Sequence, residues 1–194
     1  MQYSPDIRHR RSIRLRDYDY SQAGLYFVTI CTQNRLCLLG NIKDDEMILN
    51  DAGRMVVARW LDLAQRFTGI GLNEYTVMPN HFHGIIELLV GVPLVGTQNE
   101  DTQNMGQPQP ERQPQPGQPQ GIAPTVGDIV GAFKSITTNE YIHGVKQNHW
   151  PRFDKKLWQR NFYEHIVRDE ESYLKISEYI KTNPAKWQDD TYYA

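Results

Sequence analysis

The stretch LNEYTVMPNHFHGIIELLV, residues 72–90, decides the fold. Its first part, from Leu72 to Met78, alternates apolar and polar residues, which is typical of a strand with one buried face. Pro79-Asn80 is a turn signal, and residues 81–90 form a second run of strand-forming residues. The stretch therefore predicts a hairpin of two antiparallel strands.

Further elements are expected on either side of this hairpin. β-Branched and aromatic residues without a helical period predict a strand, whereas apolar residues that recur every three to four positions predict a helix. The predicted elements are a strand at 25–32, a helix from Asn50 or Asp51 to about 69, a helix from 125 to about 142, a strand at 158–167 and a helix from Asp169 to Asn183.

The order strand, helix, strand, strand, helix, strand, helix indicates an α+β fold. It is typical of a ferredoxin-like split βαβ sandwich with an antiparallel sheet, here followed by one appended C-terminal helix. Helices packed on one face of such a sheet leave its other face free. We therefore expect a ligand to bind on that second face.

The composition suits one domain that carries an insert. The chain has 194 residues, of which 39% are hydrophobic, and residues 24–187 are expected to form a single domain. Gln, Pro, Gly and Asn dominate an insert at about 92–123, which we expect to be disordered because it lacks the apolar side chains that offset ordering entropy. A basic arm at 1–23 and a C-terminal tail at 188–194 flank the domain.

No apolar run approaches the ~20 residues that a membrane helix needs, and the N-terminus has no apolar signal core. We therefore expect a soluble, cytoplasmic protein without a membrane partner. The formal charge of −2 argues against attraction of the whole molecule to nucleic acid. The cations are unevenly distributed, however. Arg8 to Arg16 form an arm that is either a solvated tail or a phosphate-contacting segment, and residues 152–168 are also locally basic.

His81 and His83 are the sharpest chemical feature of the sequence. Residues i and i+2 of a strand point to the same side, about 7 Å apart at Cα. Two imidazoles placed in this way can share one divalent cation, while Phe82 points into the core. The alternative is that one or both histidines are polar residues of an exposed face.

Tyr179 and Asn183 are four residues apart near the end of the last predicted helix and therefore lie on one helical face. A phenol is a poor nucleophile at its usual pKa of ~10, but beside a metal that withdraws charge from a phosphodiester it can attack phosphorus. The alternative is that Tyr179 is a core residue that continues the apolar stripe of Leu174 and Ile176.

Four blocks of the sequence, taken in order, resemble the HUH single-tyrosine transposases, in particular the REP-associated tyrosine transposases. They span residues 24–187, interrupted by the insert, and four ordered blocks are far more specific than one motif. The blocks are YFVT at 26–29, MPNHFH at 78–83, WQRNFYEHIVR at 158–168 and YIKTNP at 179–184.

The resemblance implies an HUH endonuclease domain that nicks single-stranded DNA at or beside a hairpin and transfers the strand. On this interpretation His81 and His83 are the paired metal ligands, and Tyr179 is the nucleophile that forms a 5′-phosphotyrosine. Asn183 falls where many relatives have a Gln as a further ligand, so the third ligand is open. Mg²⁺ or Mn²⁺ with imidazole and oxygen ligands can stabilise charge on a phosphodiester, and zinc is less expected because no cysteine lies near the histidine pair in the sequence.

Other residues have less defined roles in the sequence. Tyr163 is a competing nucleophile, and His165 is a third ligand, a phosphate contact or a structural histidine. Relatives include dimers and monomers, so both a homodimer and a monomer remain open. The candidate DNA contacts are Arg10, Arg11, Arg14, Arg160, Arg168 and Lys181.

Two other functions remain open on the sequence alone. The first is a hairpin-DNA-binding protein that has the fold but no catalysis. The second is a metal-dependent nuclease that forms no covalent intermediate, in which Tyr179 is structural.

Overall fold

The computed structural model describes residues 22–89 and 124–193. Four of its strands form the main sheet, and two short strands form a separate hairpin. The strands are β1 (Gly24–Cys31), β2 (Gly40–Lys43), β3 (Glu46–Leu49), β4 (Ile70–Met78), β5 (His81–Leu88) and β6 (Tyr163–Val167).

Side chains cap the three longer helices at their N-termini, as the helix-start signals in the sequence lead one to expect. Asn50 accepts a hydrogen bond from the Gly53 amide, Thr125 and Asp128 form a capping box, and Asp169 accepts from the Ser172 amide. The helices are α1 (Asp51–Leu61), α2 (Leu63–Arg66), α3 (Val126–Gln147) and α4 (Glu170–Thr182), with 3₁₀ helices at Gln33–Arg35 and Pro184–Asp189.

The main sheet has the strand order β4-β5-β1-β6, and every neighbouring pair is antiparallel. Helix α1 lies between β1 and β4 in the chain, and α3 lies between β5 and β6. This is the ferredoxin-like split βαβ arrangement, with α4 appended after the last strand. The predicted α+β fold with an antiparallel sheet is confirmed.

The first face of the sheet carries the main hydrophobic core. Trp60 of α1 and Phe133 of α3 meet Phe82 of β5, with ring centroids 4.6 and 5.3 Å from the Phe82 ring. Gly84 permits this close approach, because a Cβ at that position would lie 2.6 Å from Cζ2 of Trp60.

Helix α4 packs on the second face of the sheet. A smaller cluster joins Ile180 of this helix to Phe27, Ile85 and Val167. Glu74 of β4 accepts a hydrogen bond of 2.8 Å from the Tyr173 hydroxyl and lies 3.1 Å from Lys181 Nζ. The second face is therefore only partly free, because α4 covers part of it.

Some element bounds differ from those predicted. The strand predicted at 158–167 begins only at Tyr163, because Trp158 forms a single bridge to Thr32 and its indole donates to the Thr137 hydroxyl. The helix predicted to reach 69 ends at Leu61 and is followed by the short α2, and α3 continues five residues beyond 142. The β2–β3 hairpin was not predicted.

Several predictions fall on residues that the structure does not describe. The basic arm up to residue 21, with Arg10, Arg11 and Arg14, and the Gln/Pro-rich insert at 92–123 lie outside the described residues. Within 22–89 and 124–193, no helix combines the length and apolar character that a bilayer crossing requires.

Candidate active site

The histidine pair lies at the start of β5, on the second face of the sheet. Phe82 between them points into the main core, as strand alternation requires. The Nε2 atoms of His81 and His83 are 3.0 Å apart, and the two residues are 0% and 1% exposed. Two imidazoles thus face each other in a buried position.

Each histidine is oriented by a polar neighbour. His83 Nδ1 lies 2.8 Å from the Thr29 hydroxyl, and His81 Nδ1 lies 2.8 Å from Asn80 Oδ1. Because Asn80 Nδ2 donates to the carbonyls of Arg35 and Tyr192, Asn80 Oδ1 is the acceptor and His81 Nδ1 carries the proton. His81 Nε2, which faces His83 Nε2 at 3.0 Å, is therefore the unprotonated nitrogen and is the one that can bind a metal.

Asp190 is a candidate ligand that the sequence did not reveal. Its Oδ2 lies 3.9 Å from His81 Nε2, and its side chain is 1% exposed. Asn183 Nδ2 and the Tyr192 amide donate to its two carboxylate oxygens. Among the described residues, His81, His83 and Asp190 form a group whose ligand atoms all lie within 4.8 Å of one another.

Asn183, the predicted third ligand, caps the C-terminus of α4 beside this group. Its Nδ2 donates 2.8 Å to Asp190. Its Oδ1 is buried and accepts no hydrogen bond from any residue of the described part of the chain. A buried acceptor without a donor is costly in an apolar site, and a cation satisfies it.

The donor set fits a hard or borderline divalent cation. It consists of two imidazole nitrogens, a carboxylate and a carboxamide oxygen, as Mn²⁺ and Mg²⁺ accept. Burial lowers the pKa of His81 to about 4 and that of His83 well below its usual value, so both are neutral at pH 7 and can ligate. Burial raises the pKa of Cys31, which faces His81 across the ladder, to about 11 and keeps it a thiol.

Tyr179 is the tyrosine that contacts the histidine pair. Its hydroxyl lies 3.3 Å from His83 Nε2, and its ring packs edge-on against those of His83 and Phe27. The residue is 39% exposed. Burial, followed by the charge of Asp190, raises the pKa of Tyr179 to about 12. The hydroxyl is thus protonated at neutral pH, and the side chain is partly exposed to solvent.

Tyr163 and His165 lie on the same face but on the edge strand β6. Tyr163 pairs with Thr29, His165 pairs with Phe27, and both residues are exposed. The Tyr163 ring contacts Phe27, with centroids 6.2 Å apart. Among the described residues, His165 does not belong to the group of possible ligands. The fold thus brings Tyr179, rather than Tyr163, against the histidines.

Three of the predicted DNA contacts, Arg160, Arg168 and Lys181, lie within the described residues. Arg160 and Arg168 are exposed before and after β6. Lys181 is exposed on α4, but Glu74 at 3.1 Å partly neutralises its charge. Lys181 therefore has less charge to offer to a phosphate than the two arginines have.

The C-terminal segment covers the histidine pair. The ring of Tyr192 lies 4.8 Å from the ring of His81, and that of Trp187 lies 6.0 Å away. Arg35 holds this segment by donating 3.0 Å to the Thr191 carbonyl. Trp187 and Tyr192 thus contribute to the burial of the histidine pair.

Two solved structures are similar to this chain at low identity. One is described as a REP-associated tyrosine transposase bound to a REP hairpin, with a TM-score of 0.49, 19% identity, and coverage of 89% of this chain and 73% of that chain. The other is described as a putative transposase from Deinococcus radiodurans, with a TM-score of 0.43, 18% identity, and coverage of 87% and 95%.

No protein-family model matches the sequence. An uncharacterized protein of Haemophilus influenzae is 40% identical over 194 residues, which cover 98% of this chain and 97% of that protein. Identity of this extent over nearly the full length of both chains establishes common descent. The chain therefore belongs to the same family as this Haemophilus influenzae protein.

Proposed function

We propose that the protein nicks single-stranded DNA beside a hairpin and transfers the strand through a covalent link to Tyr179. The observation that carries the proposal is the 3.3 Å contact between the Tyr179 hydroxyl and Nε2 of His83, within a buried pair of facing imidazoles. The four ordered sequence blocks that resemble HUH single-tyrosine transposases support the same chemistry.

A divalent cation, Mg²⁺ or Mn²⁺, would be held by His81, His83 and Asp190, with Asn183 Oδ1 as a further oxygen. When bound, it would supply positive charge for the non-bridging oxygens of the phosphodiester. The protein contributes the orientation of its ligands, because Thr29, Asn80 and the Tyr192 amide each fix one of them.

Tyr179 performs the bond exchange in this proposal. A bond forms between its phenolic oxygen and phosphorus, the bond from phosphorus to the 3′ oxygen breaks, and the strand leaves with a 3′-hydroxyl. The phenolic proton is lost to solvent, which reaches the partly exposed side chain, and the departing 3′ oxygen takes up a proton from solvent. Since the phosphotyrosine is itself a phosphodiester, a 3′-hydroxyl can attack it and rejoin strands without ATP.

The contact between Tyr179 and His83 is made within one chain. A monomer therefore contains every residue that the proposed reaction requires. A homodimer that exchanges α4 between subunits would rebuild the same contact from two chains, so the contact is compatible with a monomer and with a homodimer.

The experiment is to incubate the protein with single strands carrying candidate hairpins and Mn²⁺, and to look for protein-linked DNA on a denaturing gel. We expect an adduct with the wild type and with Tyr163→Phe, the matched control, and none with Tyr179→Phe. An adduct that persists in Tyr179→Phe would refute the proposed nucleophile. Nicking without an adduct would support a nuclease with no covalent intermediate, and binding without nicking would support a binding protein.

A further inference from the structure

An open, basic cavity of about 330 Å³ lies between α3 and the loop that leads into β6. Four cations line it: Lys134 on α3, and Lys155, Lys156 and Arg160 on the loop. None of the described residues that line it carries a carboxylate. Helix α3 adds two hydroxyls and the carboxamide of Asn139. The cavity therefore combines positive charge with neutral hydrogen-bond donors.

The loop wall of this cavity is fixed in place. Lys134 Nζ donates to the carbonyls of Gln159, Arg160 and Asn161 at 3.0, 3.3 and 3.2 Å. The Gln159 amide in turn donates 2.9 Å to the carbonyl of Cys31. The loop is thus tied to both α3 and β1, and it presents its cations from a defined backbone.

The remaining three cations are available to a ligand. Lys155, Lys156 and Arg160 are exposed, and none of them forms a salt bridge with a carboxylate in the described ranges. Like charges that line one cavity repel each other, and a bound anion relieves that repulsion. Hydroxyl and amide donors beside such cations suit the oxygens of a phosphate.

The cavity lies at the same end of the sheet as the histidine pair. Cys31, which accepts from the loop, is the β1 residue that pairs with His81. The cavity opens on the α3 side of the sheet, so a strand that leaves the histidine pair reaches it by passing round the edge strand β6. We propose that the cavity binds a backbone phosphate of the DNA strand that is cleaved at Tyr179, a subsite that rests on the proposed function.

The test measures hairpin-DNA binding by fluorescence anisotropy across a range of salt concentrations, using the full chain. The cavity variant combines Lys155→Gln, Lys156→Gln and Arg160→Gln. The control variant removes the same charge from exposed cations elsewhere, through Arg66→Gln, Lys146→Gln and Lys175→Gln. We expect the cavity variant to bind at least ~10-fold more weakly, and its log–log salt slope to fall by about 0.7 for each phosphate of the single strand that the protein no longer neutralises. The control should keep the wild-type slope.

Equal salt slopes in the two variants would overturn the proposal. A cavity that binds phosphate oxygens could accept either a DNA backbone phosphate or free inorganic phosphate. Calorimetric titration with inorganic phosphate distinguishes these two ligands. Binding of inorganic phosphate that disappears in the cavity variant, with an unchanged DNA slope, would assign the cavity to a free phosphate and also overturn the proposal. The adduct assay keeps the two proposals apart: no wild-type adduct refutes the proposed function, whereas a wild-type adduct with equal slopes refutes the cavity alone.

Discussion

At the scale of single residues, Thr29 is the neighbour that orients His83. Its hydroxyl lies 2.8 Å from Nδ1, so the opposite nitrogen faces His81. Loss of such an outer partner typically lowers metal affinity 10–100-fold. We predict that Thr29→Val, which keeps the shape of the side chain, weakens Mn²⁺ binding by about 10-fold or more, measured by calorimetry.

A matched control for this variant lies on the other side of His83. Thr76 of β4 pairs with His83, and its side chain makes no hydrogen bond in the described part of the structure. Thr76→Val should therefore leave the Mn²⁺ affinity within about twofold of the wild type. Equal decreases in the two variants would mean that strand packing, rather than the Thr29 hydroxyl, sets the affinity.

Asp190 is the anionic member of the candidate ligand group. Replacement of a carboxylate by a carboxamide removes the charge that attracts a divalent cation while nearly conserving volume. We predict that Asp190→Asn lowers Mn²⁺ affinity by at least ~10-fold. Asp189→Asn is the control, because that neighbour is exposed and lies outside the group. An unchanged affinity in Asp190→Asn would exclude Asp190 as a ligand.

At the scale of elements, the packing of α1 on β5 depends on Gly84. A Cβ there would lie 2.6 Å from Trp60 Cζ2 and 2.8 Å from Phe82 Cε1. Overpacking of this kind usually costs about 1–3 kcal/mol. We predict that Gly84→Ala lowers the free energy of unfolding by that amount, measured by urea denaturation.

Gly131 supplies the opposite control within α3. A Cβ at this exposed position meets nothing within 4 Å. Because Ala is favoured over Gly inside a helix by about 0.8–1 kcal/mol, Gly131→Ala should raise the free energy of unfolding by up to that amount. Equal destabilisation by both changes would contradict the role assigned to the Trp60 contact.

The elements that the sequence predicts well have a local period. The β4–β5 hairpin follows from strand alternation and the Pro79-Asn80 turn, and both strands lie within two residues of the predicted bounds. The β2–β3 hairpin has strands of only four residues and a turn in which Asp44 and Asp45 both have positive φ. Such a short pattern resembles a loop.

The sequence predicts the last strand to begin at Trp158, which is too early. An apolar residue can be buried by packing or by pairing within a sheet, and the sequence pattern does not distinguish the two.

At the scale of the whole molecule, the candidate site joins residues that are far apart in the chain. His81 and His83 are two residues apart in a strand, and Tyr179 and Asn183 are four apart in a helix. Residues at these spacings lie on one face of their element, so both pairs can be recognised in the sequence. Asp190 is not, because its position depends on how the segment after α4 folds back over the sheet. No local period encodes that tertiary contact.

The segment after α4 also covers the histidine pair. The ring of Tyr192 lies 4.8 and 6.1 Å from those of His81 and His83, and Asn80 holds its carbonyl. In the proposed reaction a phosphodiester approaches a cation held by two histidines that are at most 1% exposed, so we expect the Tyr192 ring to move aside. We predict that Tyr192→Ala raises the initial rate of Tyr179–DNA adduct formation several-fold, measured on denaturing gels.

Tyr193 provides the control for this prediction. Its ring packs on Trp187, with centroids 5.2 Å apart, and it is 51% exposed. Tyr193→Ala therefore removes a neighbouring aromatic ring without uncovering His81, and its adduct rate should match the wild type. Mn²⁺ affinity is measured in both variants to confirm that the metal site is intact. Tyr192→Ala should leave it intact, because the bond to Asp190 comes from the Tyr192 backbone amide, which the substitution retains. An unchanged or slower rate in Tyr192→Ala, with the metal affinity intact, would mean that the substrate reaches the histidines without displacing this ring.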